Sequence, residues 1–255
     1  MSTPEELARH IFSERAAYYT TSAWHKDPQT LAKLLALAQP QSQWLALDVA
    51  TGTGHTAFAL SPYVRLVTAT DLTPAMLHEA RQVQMDQGIS NINFGMADVH
   101  NLPFAPDEFE LVTSRRAAHH FSNIHLALTE MVRVLVPGGR LVIDDRSIPE
   151  DDFVDQTMNL LDTYHDPSHV REYRLSEWQS MLVDAGLQVN AFEFFHEQRP
   201  LTTLTHNAAP TDVVRIQKVI TSLDEEQRHA MNVEFKNGEW FLNHWFILLA
   251  ADKPA

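Results

Sequence analysis

Three aspartates stand at positions where carboxylates do chemistry. Asp48, Asp71 and Asp98 each follow an apolar run of strand character, and Asp48 leads directly into Ala50-Thr51-Gly52-Thr53-Gly54. Two glycines between a strand and a helix remove side chains where a ligand must approach backbone, and the helix that follows presents free N–H groups. A structural turn is the plain alternative. A dinucleotide site is another, because Gly52-x-Gly54-x-x-Ala57 fits the pattern G-x-G-x-x-G/A with Asp71 about 20 residues on. The three acids taken together favour a nucleoside with a short charged tail. Asp48 would oppose a pyrophosphate but suits an ammonium group, Asp71 can accept from both ribose hydroxyls, and Asp98 can accept from an exocyclic amine.

The elements that must hold these acids follow from periodicity. Apolar runs at 44–49, 64–70, 92–95, 109–114, 141–144 and 187–195 read as strands. Helical spacing fills the intervals. Residues 5–19 and 28–37 are two leading helices, and 55–60 is a short one. Thr73 with Pro74 opens another, which Gly88 closes. Ile124, Leu128, Met131, Val132 and Leu135 form one apolar stripe that Pro137-Gly138-Gly139 stops, and Ser176 with Gln179 reads as a capping box. Strand–helix alternation of this kind predicts an α/β fold, a mostly parallel sheet with helices on both faces. Asn237-Gly238 between 233–236 and 239–241 is a two-residue hairpin signal, so the C-terminal strands are expected to be antiparallel. Segments 146–175 and 199–231 break the alternation. Ligands of open α/β sheets bind at the carboxyl ends of the strands, so the turns after the first five strands are where chemistry is expected.

In this order, DVATGTGH (48–55), TATDLTPAML (68–77), GMADVHNLPF (95–104), TSRRAAHHF (113–121) and VLVPGGRLVI (134–143) resemble the class I S-adenosylmethionine (SAM) dependent methyltransferases. The similarity is greatest to the type 11 small-molecule group, which includes the ubiquinone/menaquinone-biosynthesis C-methyltransferases. The resemblance implies a Rossmann-like sheet, SAM as cofactor and S-adenosylhomocysteine (SAH) as product. It implies that Asp48, Ala50, Gly52 and Gly54 line the methionine end, that Asp71 holds the ribose, and that Asp98 with Val99 borders the adenine. Thr51, Leu72, Ala97, Ser114 and Arg115 complete the implied cofactor set. Ala50 departs from the pattern, standing where many class I enzymes have the first glycine of the loop.

Methyl transfer from a sulfonium is an in-line displacement, so alignment is the protein's main task, and a base is needed only when the nucleophile carries a proton. In this fold the segment after strand four faces the methyl group, which makes His119 and His120 the base candidates; helix capping or packing is the alternative for each. Arg116 is expected to pair with surplus acids or to hold a carboxylate or enolate of the substrate. Asp145, after strand five, is expected on the same cavity. The resemblance implies a cap made by 146–175 with the N-terminal lid helix (residues 1–30), placing His169, Arg171, Tyr173, Tyr18 and Tyr19 at the substrate, with His25 in the lid. An apolar cap with several neutral histidines points to an aromatic or conjugated acceptor rather than a polyanion. Segment 199–231 is either a lid or a homodimer surface.

Composition sets the boundaries. The chain has 255 residues, 44% of them hydrophobic, enough for one domain spanning 1–255. Nineteen Lys and Arg against 33 Asp and Glu leave a formal charge of −14, which argues against nucleic-acid and membrane-surface partners. The 14 His are expected to offset much of that charge below about pH 6. Without cysteine there is no disulfide, thiolate nucleophile or Cys-ligated metal. Ser114-Arg115 supplies no carboxylate after strand four, which argues against a metal-assisted catechol site, and no metal is expected. No Asn/Asp-Pro-Pro-aromatic signature follows that strand, as nucleic-acid methyltransferases would require. The first 20 residues carry no apolar signal core, so a cytoplasmic location is expected. The expectation is methyl transfer to O, N or C of a small molecule. The competing readings are a SAM-binding protein of the same fold that does not methylate and an NAD-dependent oxidoreductase.

Overall fold

A computed structural model describes residues 3–255. Two helices lead, α1 (Pro4–Thr21) and α2 (Pro28–Ala38). The alternating part then runs β1 (Leu45–Val49), α3 (His55–Leu60), β2 (Leu66–Asp71), α4 (Pro74–Gln87), β3 (Ile92–Met96), β4 (Phe109–Arg115), α5 (Ile124–Val134) and β5 (Leu135–Ile148). After it come α6 (Asp152–His165), β6 (Tyr173–Arg174), α7 (Leu175–Asp184) and β7 (Gln188–Pro200). The chain finishes with α8 (Thr202–Thr205), α9 (Pro210–Ser222), α10 (Glu225–Ala230), β8 (Glu234–Lys236) and β9 (Glu239–Asp252). The sheet order is β3-β2-β1-β4-β5-β9-β7, with β6 beside β5 and β8 beside β9. β1 to β5 pair in parallel, while β9 runs antiparallel to both β5 and β7. Chain order reverses between β1 and β4, which opens a crevice at their carboxyl ends.

Both faces of the sheet are apolar, as a sheet covered by helices on each side requires. Leu47, Val49, Leu141, Ile143, Ile247 and Leu249 point to the face covered by α5 and α7. Their neighbours Ala46, Val142, Leu248 and Ala250 point to the face covered by α2 and α3. A third cluster joins the two segments that break the alternation. Val154, Met158 and Leu161 of α6 pack with Leu204, Ile216 and Ile220 of α8 and α9 and with Trp245 of β9. Residues 146–175 and 199–231 are therefore one helical layer. No described helix is long and apolar enough to cross a membrane.

Several boundaries differ from the sequence expectation. Leu135 belongs to β5, where it pairs with Phe109, and Pro137-Gly138-Gly139 lies within that strand rather than between elements. The left-handed Gly138 (φ 78°) lets the chain bend there while its N–H donates to the Lys253 carbonyl. β9 is far longer than a hairpin arm, because its apolar run is enclosed by β5 and β7. Ser176 does not cap α7: its N–H and hydroxyl both donate to Glu150, and the Glu177 carboxylate receives the Arg174 N–H instead.

Candidate active site

A cavity opens where β1, β2, β3 and β4 end, and backbone conformation shapes its wall. Ala50 (φ 53°) and Gly52 (φ 55°) are both left-handed. A non-glycine residue there is strained, which explains why glycine is the commoner occupant of position 50 in the resembling family. A Cβ on Gly52 would meet no protein atom within 4 Å and would project into open space beside the cavity. Gly54 serves packing instead. It is left-handed (φ 89°) and a Cβ there would lie 2.9 Å from the Phe58 ring.

The three acids surround this strand-end cavity. Asp48 is buried, and its two oxygens accept the hydroxyls of Thr51 (2.5 Å) and Thr113 (2.7 Å). Burial outweighs these donors and pushes its carboxyl up to about 6. Asp71 receives the Gly52 N–H on one oxygen and the Thr73 N–H on the other, both at 2.8 Å. A carboxylate has about four acceptor directions, so both oxygens keep capacity for a ligand. Asp98 orders the next turn by accepting the His100 N–H (2.9 Å) and Nδ1–H (2.7 Å) on a single oxygen.

Of the predicted cofactor residues, Asp48, Ala50, Thr51, Gly52, Asp71, Leu72, Ala97, Asp98, Val99 and Arg115 line this cavity. Gly54 does not, for the packing reason above. Ser114 does not either: it is buried inside the sheet, and its hydroxyl has no partner. Arg115 is held by Thr56 Oγ1 (3.0 Å) and the His25 carbonyl (2.7 Å). Helix α1 covers the opening with Glu5, Ala8, Arg9 and Phe12.

A second cavity of about 620 Å³ lies under the helical layer. Tyr19, His25, Arg116 and His120 line both cavities and form their junction. Arg15 and Tyr18 of α1 form its roof. Asp162, His165, Asp166 and His169 form one wall, and Arg199, His244 and Phe246 of β7 and β9 the other. Arg15 ties roof to wall through a 2.8 Å ion pair with Asp166. Histidines stand among aromatic rings here as expected, while guanidinium and carboxylate groups make the helical side more polar than the apolar cap expected from sequence.

His119 faces this cap-side cavity on an oriented mount. Its Nδ1–H donates to Asp145 Oδ1 at 2.5 Å, which leaves Nε2 as an acceptor. Asp145 is fully buried and also receives the N–H groups of Ala117 (3.1 Å), Ala118 (2.5 Å) and Arg146 (2.6 Å). Burial alone would push its carboxyl up, but the contact with His119 and these bonds hold it below the usual range. The Val170 N–H donates to the His119 carbonyl and pins the ring's backbone. His120 differs: its Nδ1–H donates to the Ser168 carbonyl (3.1 Å), and burial lowers it to about 3. Burial also lowers His25 to about 3 and His169 to about 4, and pushes His165 and His244 down. His25, His120 and His169 therefore stay neutral near pH 6 and take no part in the charge offset expected from the histidine count.

Tyr18, Tyr19, Arg116, His119, His120 and His169 are thus brought together as the sequence predicts. Asp145 is near but lies behind His119, with no surface on the cavity. Arg171 and Tyr173 lie elsewhere. Arg171 pairs with Asp155 (3.1 Å) and Glu177 (3.0 Å), and Tyr173 packs edge-on against Trp178. Arg146, at the end of strand five beside Asp145, does line the cavity, and residues missed from sequence are Arg15, Trp24, His165, Arg199, His206, His244 and Phe246. Two signals pointed to some of them: the lone His244 inside the apolar run of β9, and Asp162, His165 and Asp166 on one helical face.

Comparison with known proteins agrees with this architecture. Residues 47–143 match the sequence family described as a methyltransferase domain. YcgJ of Bacillus subtilis, named as an uncharacterised methyltransferase, is 38% identical over 170 residues, which is 67% of each chain. Its crystal structure superposes with a TM-score of 0.84 at 29% identity, covering 89% of this chain and 99% of that one. The ubiquinone/menaquinone-biosynthesis C-methyltransferase UbiE of Shewanella piezotolerans is 33% identical over 118 residues, 45% of this chain and 47% of that one. That match spans about half of each chain, while the family match over 47–143 takes in the three acids and the His119–His120 turn and ends before α6. The chain belongs to the methyltransferase-domain family and carries the class I methyltransferase fold.

Proposed function

We propose that this protein transfers a methyl group from SAM to a small-molecule acceptor lodged in the cap-side cavity, with His119 as general base. The observation that carries this reading is the pair of cavities meeting at Tyr19, His25, Arg116 and His120, one edged by acids and the other presenting an oriented imidazole. The strand-end cavity fits the cofactor. Gly52 leaves open space, Asp71 keeps free acceptor capacity beside it, and buried Asp48, with Arg115 acting only at longer range and no ion pair among the described residues, suits an ammonium group. Asp48 would hold the amino group, Asp71 the ribose and Asp98 the adenine. When bound, SAM supplies an activated methyl on a sulfonium.

The chain's own residues do the rest. His119 Nε2 accepts the proton of the acceptor's nucleophile, and the Asp145 carboxylate provides the counter-charge for the imidazolium that forms. Asp145 keeps the ring in the tautomer with its proton on Nδ1. His120, with its low proton affinity, packs edge-on with Phe12 (5.0 Å between ring centres) and shapes the junction. Residues 3–30 act as a lid over both cavities, and 146–175 with 199–231 form the cap that selects the acceptor. Lining by Thr202, Thr203, His206 and Asn207 supports the cap reading of 199–231.

A screen of small acceptors with methyl-labelled SAM tests this reading. Transfer to at least one acceptor in wild type, lost in His119→Ala while SAH affinity is kept, is the expected result. Cofactor binding with equal transfer in both proteins removes His119 from the reaction.

A further inference from the structure

Two guanidinium groups share one aromatic wall of the cap-side cavity, an arrangement that electrostatics disfavours. Arg116 Cζ lies 4.8 Å from the Trp24 ring centre and 4.2 Å from that of Phe246. Arg199 Cζ lies 3.2 Å and 4.9 Å from the same two centres. Cation–π contacts offset part of the repulsion. Counter-charges do not offset the remainder. Glu197 accepts from Nε (3.2 Å) and Nη2 (2.7 Å) of Arg199, which leaves Nη1 without an acceptor among the described residues. Asp144 stands 3.1 Å from Arg116 Nε, yet the same carboxylate also faces Arg115. Arg115 and Arg116 therefore share the Asp144 carboxylate. Arg116 Nη1 is buried with no hydrogen-bond partner among the described residues, on a side chain only 7% exposed whose backbone sits at φ 55°. A buried, unpaired guanidinium N–H in a strained segment is an expensive feature to keep without a ligand.

We propose that the acceptor is a small organic acid whose carboxylate is received by Arg116 and Arg199 at the Trp24–Phe246 wall. This rests on the reading of the cap-side cavity as the acceptor site. Planar guanidinium forks match a carboxylate's two oxygens. The cavity's other cations are already engaged: Arg15 by Asp166, and Arg146 by Asp162 and Glu172. Arg116 and Arg199 are the cations of this cavity that keep donors free, because Nη1 of each lacks an acceptor among the described residues. Free N–H groups on two neighbouring forks suit the two oxygens of one carboxylate and disfavour ammonium-bearing acceptors. Anchored at this wall, the acid would extend through the same cavity toward His119.

The test uses the full chain saturated with SAH and a panel of hydroxylated aromatic and aliphatic monocarboxylic acids, each beside its primary amide and its phosphomonoester analogue. Expected is binding of acids at least about tenfold tighter than their amides. Arg199→Gln should erase the preference by weakening the acids alone, and Arg199→Lys should restore part of it. SAH affinity, read in the same titrations, should stay within about twofold in both variants, since Arg199 lies away from the strand-end cavity. Acids binding no better than amides, no acid binding to the SAH-loaded protein, tighter binding of phosphomonoesters, or equal weakening of acid and amide by Arg199→Gln would each overturn the proposal. Failure of SAH itself to bind wild type overturns the cofactor reading instead, which keeps the two failures distinct.

Discussion

The two cavities differ in how they are built as much as in what lines them. The strand-end cavity is edged by carboxylates that stand at or just after the ends of β1, β2 and β3, each fixed by hydrogen bonds within two to four residues or from the neighbouring strand. The cap-side cavity is lined by guanidinium and imidazole groups that converge from α1, the turn after β4, α6, β7 and β9. Acids in the first suit the ammonium, hydroxyl and amine groups of a nucleoside with an amino-acid tail. An imidazole oriented by Asp145 and guanidinium groups with free N–H donors in the second suit an acceptor that loses a proton. The division of charge separates binding of the methyl donor from choice and activation of the acceptor.

The largest effect that would sharpen this division lies in the second cavity. His119→Ala should lower turnover by about 10²–10⁴-fold. SAH affinity should hardly change, because His119 lines only the cap-side cavity. Asp145→Asn should follow it in direction, since the amide no longer fixes the Nδ1–H tautomer. Calorimetry beside steady-state rates separates the two readouts, and a matching loss of SAH affinity would erase the distinction between the cavities.

Asp71→Ala makes the converse change. Loss of charge-assisted hydrogen bonds to the ribose should weaken SAH by about 10–100-fold. The mutation also frees the Gly52 and Thr73 N–H groups, so circular dichroism must accompany the titration. Unchanged SAH affinity removes Asp71 from the site.

Much of the first cavity was legible because its determinants are local. Asp48, Gly52, Asp71 and Asp98 follow strands at short fixed spacing, and one apolar alternation places all of them at one sheet edge. The hairpin at Asn237-Gly238 was equally local. The second cavity was not legible in this way. Arg15, Arg199 and His244 lie far apart in sequence; the pairing of β7 with β9 sets Arg199 near His244, and the Arg15–Asp166 ion pair draws α1 to the helical layer. Arg171 and Tyr173 mislead for a related reason: they sit in a polar stretch beside true lining residues, yet the ion pairs of Arg171 with Asp155 and Glu177 turn that stretch outward.

Acidity offers a smaller test. Asp48 is raised to about 6 by burial, so it protonates as pH falls through that value and loses its attraction for an ammonium group. SAH affinity should therefore drop between about pH 7 and 5. Asp48→Asn should flatten that dependence at a lower overall affinity; an unchanged pH profile in the variant assigns the drop to another group.

Stability should fall over a related window for a different reason. His25, His120 and His169 are depressed in the folded state, so their contribution is complete above about pH 6.5. Acidification then protonates the unfolded chain preferentially, and that stability is lost progressively toward pH 3–4. The Tm of the ligand-free protein should be level from pH 8 to 7 and decline below 6.5. A level Tm down to pH 5 would mean that these rings take up protons in place. Smallest of all is Arg171→Ala. It should leave turnover intact and cost about 1 kcal/mol or less of stability, since its ion pairs are partly exposed.

The most direct test of the two-cavity account is calorimetric titration of the wild-type chain with SAH and, separately, with NAD. One-to-one binding of SAH in the micromolar range, with no heat from NAD, is the predicted result. Binding of NAD with no response to SAH would contradict the assignment of the strand-end acids and leave the acceptor chemistry of the second cavity without its methyl donor.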